Sequence, residues 1–157
     1  MNHLKALLLD ANVLVLAVVA AYDRRLIGQR GLDVFSQADY DLLLDQMVGF
    51  QALRTTPHIL TEVNNLADKC VPKRRLREFR LLFTEHVKQL DEQWALAIEL
   101  CDTEGFRRLG LADAAITQLA DEETRVISMD AQLCSELWAA GVDAINFNHL
   151  RDSGPAQ

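Results

Sequence analysis

The sequence is sparing with the residues that staple, kink or loosen a chain. Three cysteines stand in 157 residues, at Cys70, Cys101 and Cys134. They form no C-x-x-C pair and no Cys/His cluster, which excludes a disulfide framework or structural zinc site and fits a reducing cytoplasm. Each is expected to be a small buried hydrophobe. Only three prolines and seven glycines occur, so no long flexible linker is foreseen, and no repeat or low-complexity tract is visible. Long hydrophobic runs are also missing. Residues 6–22 are very apolar, but Asp10 and Asn12 interrupt them, and the remaining Val13–Tyr22 is about half of what spans a bilayer. With Lys5 the only early cation, no targeting segment and no membrane span are expected.

An excess of positive charge is absent too. The formal net charge is −7, the wrong sign overall for a nucleic-acid binder. The distribution matters more than the sum. Lys69, Lys73, Arg74, Arg75, Arg77 and Arg80 crowd one stretch, with Glu78 as its only acid from Lys69 onward. What is present otherwise is ordinary for a globular protein: half the residues are hydrophobic and a quarter charged. The length suits one domain over residues 1–150, followed by a polar tail at 151–157.

Periodicity predicts strands alternating with helices. Lys5–Leu9 is a short apolar run that reads as a buried strand, and Ala11–Tyr22 as a buried helix. Residues 23–37 read as a loop around Gly28 and Gly31. Ala38–Leu53 reads as an amphipathic helix, Thr55–Ile59 as a strand, and Leu60–Cys70 as a helix. Pro72 marks a break before a helix at Lys73–Leu90, whose apolar stripe is Leu76, Phe79, Phe83, Val87 and Leu90. Gln93–Arg108 and Leu111–Asp121 read as helices, Arg125–Met129 as a strand, Ala131–Ala140 as a helix stopped by Gly141, and Val142–Phe147 as a last strand. Such alternation implies a parallel sheet covered on both faces, with sites just beyond the carboxyl ends of the strands.

Four acids fall at that locus. Asp10 follows the first strand, Glu62 the second, Asp130 ends the strand at 125–129, and Asp113 opens a helix straight after Gly110. Singly, each has a plain explanation. Asp10 and Asp130 suit helix N-caps, Asp113 suits a helix dipole, and Glu62 suits a solvated first turn. Jointly they suit a hard divalent cation such as Mg²⁺ or Mn²⁺, which prefers oxygen ligands and relieves the repulsion among packed carboxylates. Asn12 and Ser128 stand two residues from Asp10 and Asp130, where either can support a ligand or serve a local structural role. No histidine among His3, His58, His86 and His149 pairs with a serine or cysteine motif, so a nucleophilic triad is unsupported, and a structural role is expected for His58. Trp94 and Trp138 are expected in a core or an interface.

At these residues the sequence resembles a PIN domain. The pieces are L-L-L-D-A-N-V-L at 7–14, T-E-V at 61–63, L-G-L-A-D-A-A-I at 109–116 and V-I-S-M-D-A-Q-L at 126–133, in order over nearly the whole chain; I-N-F-N-H-L at 145–150 is also similar to the ends of some bacterial PIN proteins. The resemblance implies a three-layer α/β/α sandwich with a short, mostly parallel central sheet. It also implies a Mg²⁺- or Mn²⁺-dependent ribonuclease, of which VapC-type toxins are small examples. It matches Asp10, Glu62, Asp113 and Asp130 to the acidic quartet of metal ligands, and Asn12 and Ser128 to its polar neighbours. It implies single-stranded RNA as substrate, an antitoxin as protein partner, and a homodimer. Lys73, Arg74, Arg77 and Arg80 are then the expected contacts to the RNA backbone. Val87–Leu90 is the candidate for the family's middle strand. A HAD-like phosphatase is the rival enzyme, but Asn12 stands where it would want a second aspartate. A fold-retaining RNA-binding or regulatory module without turnover, or a receiver-like domain, is the rival from another class.

Overall fold

The computed structural model describes residues 4–154. Its strands are β1 (Ala6–Leu9), β2 (Ala52–Thr55), β3 (Asp91–Glu92), β4 (Thr124–Ser128) and β5 (Asp143–Asn146). Its helices are α1 (Ala11–Tyr22), α2 (Gln37–Met47), α3 (Pro57–Cys70), α4 (Leu76–Val87), α5 (Ala97–Cys101), α6 (Glu104–Leu109), α7 (Leu111–Leu119), α8 (Ala131–Ala139) and α9 (Phe147–Asp152). The five strands form one parallel sheet in the order β3-β2-β1-β4-β5, and helices cover both faces, giving an α/β/α sandwich.

β1 is central because it is apolar at every position: Ala6, Leu7, Leu8 and Leu9 are all buried, as a strand covered on both faces requires. Asp10 stops it and α1 begins at the next residue. That helix is apolar nearly all round, and its residues Val13 to Ala20 are buried, so it serves as core rather than as a surface helix. The chain leaves β1 toward β2 and β3 on one side and returns to β4 and β5 on the other. The topological switch point therefore lies between the carboxyl ends of β1 and β4.

Several boundaries differ from expectation, each for a local reason. The helix expected to run to Leu53 ends at Met47, and Gly49 follows with φ +93°, a conformation other residues rarely adopt. That frees Ala52–Thr55 to be β2, earlier than the expected strand at 55–59. Thr56 then caps α3 by accepting from Ile59 N at 3.1 Å, with Pro57 at the first helical position, so the residues expected to be strand start a helix instead. Lys73–Arg75 form a 3-10 turn before α4, and the middle strand is not Val87–Leu90 but Asp91–Glu92, paired with Arg54 and Thr55. The long helix expected over Gln93–Arg108 splits in two, because Thr103 caps α6 through Phe106 N.

At the other end, Phe147 is not strand: Asn146 accepts from Asn148 N at 3.0 Å and starts α9. Arg151, expected in the polar tail, belongs to that helix and donates to Asp39 Oδ1 at 3.0 Å and to the Val34 carbonyl. The cysteines are free, with Cys70 and Cys134 buried and Cys101 only half-buried. No helix among the described residues is long and apolar enough to cross a membrane.

Candidate active site

The site is built outward from Asp10. Its backbone N–H still donates to Ile127 O at 3.0 Å, so the residue remains tied to the sheet as the strand ends. Its side chain then caps α1, with Oδ1 accepting from Ala11 N at 2.7 Å. The other oxygen accepts from Ser128 Oγ at 2.6 Å. Ser128 is fully buried at the end of β4, and its hydroxyl also accepts from the backbone N–H of Asp130 at 3.0 Å. One serine thus locks the ends of the two strands that flank the switch point. Asp130 caps α8 through Gln132 N and Leu133 N, so the helix-cap explanation holds for both strand-end acids.

Capping does not exhaust either side chain. An ionised carboxylate offers about four acceptor sites, and Asp10 uses two of them. Burial pushes the Asp10 carboxyl up from its ordinary range, against the pull of the bonds from Ser128 and Ala11, and the charge of Asp130 pushes the same way.

Glu62 and Asp113 complete the set from helices. Glu62 lies in the second turn of α3, held up by partial burial and by the Asp10 charge, and lowered by His58. His58 is one turn before Glu62 on the same helix. Reading residue 58 as strand conceals that spacing. Asp113 is in the first turn of α7, which Gly110 starts with φ +90° and ψ −179°, a combination essentially confined to glycine. Burial first, and then the charges of Asp10, Asp130 and Glu62, push Asp113 up to about 7. The four acids therefore act on one another, although they come from four separate elements.

These four line a single open cleft of about 210 Å³, with Asn12 and the Leu109–Ala112 turn as its other walls. None of the lining residues is cationic, and none of the four acids takes part in an ion pair among the described residues. The donor chemistry fits a hard divalent cation, since it is all oxygen, anionic and uncompensated. The four are not drawn into a ligating shell: among the described residues no group of three or more His, Cys, Asp or Glu side chains stands ready to hold a metal ion.

No family model, no curated protein and no solved structure matches this chain, so the geometry and the sequence carry the functional case.

The expected RNA-contact residues lie elsewhere. Lys73, Arg74, Arg77 and Arg80 follow the far end of α3, and the eight helical steps from Glu62 to Cys70 alone span about 12 Å. Arg80 is paired with Asp68 at 2.8 Å, and the neighbouring Arg75 with Asp23 at 2.7 Å. Lys73, Arg74 and Arg77 are exposed, with no ion-pair partner among the described residues. His3 lies outside the described residues.

The Asp113 shift has a pH consequence with a definite sign. Its folded pKa of about 7 exceeds the ordinary 3.8, so the folded state holds the proton more tightly than the unfolded chain does. The stability this group contributes is complete below pH 3.8 and is lost as pH rises toward 7. In EDTA, the melting temperature of the wild type minus that of Asp113→Asn is expected to fall across this window. A divalent cation held by these acids would replace the proton and offset the fall, which saturating Mn²⁺ tests. A difference curve that stays flat with pH in EDTA would show that the carboxylates do not repel one another.

Proposed function

We propose that the chain is a Mg²⁺- or Mn²⁺-dependent endoribonuclease of the PIN type, hydrolysing phosphodiester bonds in single-stranded RNA. One observation carries the reading: four carboxylates from separate elements line one cation-free cleft at the switch point of a parallel sheet. Asp10, Glu62, Asp113 and Asp130 are the residues that would hold the ion. When bound, such an ion polarises a phosphoryl oxygen and lowers the pKa of a water. The chain's own contribution is positional. Ser128 keeps the Asp10 carboxylate facing the cleft and fixes the start of α8. Gly110 brings α7 to the cleft wall with no side chain in the mouth. Asn12 lies on the cleft wall, exposed, where its amide can hold a water or an RNA oxygen.

The four ordered sequence motifs support RNA as the substrate, and their resemblance to VapC-type toxins supports an antitoxin as a protein partner. A phosphatase of the HAD type is less well supported, because neither a second strand-end aspartate at Asn12 nor any lysine lines the cleft.

A mixed-sequence single-stranded RNA and a phosphomonoester are to be offered to the purified chain in Mn²⁺, Mg²⁺ and EDTA. Cleavage of the RNA with either ion, its loss in EDTA and inert monoester are the expected pattern. RNA cleavage that survives EDTA, or turnover confined to the monoester, would overturn the proposal.

A further inference from the structure

Most cations of this chain have a partner, and the exceptions gather in one place. The sequence holds 16 lysines and arginines against 23 acids. Twelve ion pairs among the described residues engage eleven of the 16, with Arg54 in two of them. The five left over are Arg30, Lys69, Lys73, Arg74 and Arg77. Three of these, Arg30, Lys69 and Lys73, line a single open cavity of about 310 Å³, which shares no residue with the acid cleft. The one acid in its wall, Asp68, is already held by Arg80 at 2.8 Å. Asp33 acts on the nearby Cys70 thiol but does not line the cavity.

The backbone fixes these charges around the cavity. Gly31 has φ +87°, and a Cβ there would stand 2.7 Å from Cys70 Sγ, so the glycine lets its loop lie directly on the end of α3. Arg30 precedes Gly31 and Lys69 precedes Cys70, so that contact brings the two cations to one opening. Val71 is extended before Pro72, which ends α3, and the 3-10 turn Lys73–Arg75 follows. Arg75 pins that turn by donating to Asp23 at 2.7 Å, the residue that caps the 3-10 turn Arg24–Leu26. Leu26, Cys70 and Val71 are buried and give the cavity an apolar back. Like charges gathered in this way repel one another, and an anion between them removes that cost.

Charge and shape select the ligand. A phosphodiester would bring a single negative charge to three cations, whereas a phosphomonoester brings about 1.5 to 2 at neutral pH. Arginine offers a planar fork that matches phosphate, and lysine a point charge. The apolar back suits the face of a nucleobase, and disfavours a body covered in hydroxyls that would lose their water. We propose that Arg30, Lys69 and Lys73 bind the phosphomonoester of a nucleotide, free or at the end of an RNA, with its base against Leu26 and Val71. The site does not rest on the nuclease reading, since Lys69 lies seven helical steps beyond Glu62, about 10 Å along α3.

Isothermal titration calorimetry in EDTA and low salt, with adenosine monophosphate as the probe, tests the site. Adenosine, which has no phosphate, and cyclic AMP, a diester, should bind roughly 10-fold more weakly or not at all. Arg30→Gln with Lys69→Gln should weaken binding of the monophosphate by roughly 100-fold, the scale of losing two charge-assisted hydrogen bonds, at an unchanged melting temperature. Lys88→Gln with Arg107→Gln removes two charges elsewhere and should bind it as the wild type does. No binding of the monophosphate, equal binding of adenosine, or equal losses in the two double variants overturns the proposal. Short RNAs with a 5′-phosphate, a 3′-phosphate or neither separate the two sources. A preference for one phosphorylated end that Arg30→Gln with Lys69→Gln abolishes assigns the cavity to RNA ends, and equal binding of all three assigns it to the free nucleotide.

Discussion

Asp10→Asn is expected to cut metal-dependent RNA cleavage by roughly 100- to 1,000-fold, the scale of deleting one group from a preorganised electrostatic site. The substitution is close to isosteric. Its amide oxygen can still accept from Ala11 N, and its NH₂ can donate to Ser128 Oγ, so the α1 cap and the β1–β4 link survive. What disappears is a buried negative charge that raises both Glu62 and Asp113 and is itself disfavoured by burial. In EDTA the variant should therefore melt no lower than the wild type. It should also lose most of the rise in melting temperature that Mn²⁺ gives the wild type, since that rise measures binding to the folded state. The two readouts separate causes. Lost cleavage with an intact melt places Asp10 in the chemistry, lost cleavage with a collapsed melt makes it a structural cap, and full cleavage removes it from the site.

Phe147→Ala should be the most damaging core substitution near the C-terminus, costing about 3–5 kcal/mol and lowering the melting temperature by roughly 10–15 °C. Phe147 is fully buried, and its ring lies 6.4 Å from that of Phe35. It opens α9, the helix that Arg151 ties to Asp39 at the start of α2. Truncation leaves a cavity bordered by that loop and helix, and the surroundings can close it only by pulling α9 out of register with Arg151. Urea unfolding measures the cost directly. A loss below about 1 kcal/mol, the scale of an ordinary surface change, would mean that α9 does not pack as described.

How much of this was legible beforehand varies by element. β1 and α1 follow from composition alone, because an apolar run broken by a single aspartate has few other solutions. The α3 start departs from the expected strand because β-prone Thr55–Ile59 competes with a cap; Thr56 and Pro57 together win, and the strand lies at Ala52–Thr55. β3 could not be seen at all. Two acidic residues carry no strand pattern, and Asp91–Glu92 becomes a strand only because Arg54 and Thr55 lie alongside it. Trp94 was expected in a core or an interface, and its exposure excludes the core.

The order of residues along the chain determined that Asp10, Glu62, Asp113 and Asp130 each sit near the end of a strand or the start of a helix. Those positions depend on short-range patterns that are complete within about ten residues. Tertiary structure alone decided that they face one cleft, because only the strand order β3-β2-β1-β4-β5 makes β1 and β4 neighbours at the switch point. It also decided that the Ser128 hydroxyl, two residues from Asp130, donates a hydrogen bond to Asp10, 118 residues away. The rise of Asp113 to about 7 has the same origin. A pKa shift sums burial and charges across space, and neither is a property of neighbours in sequence.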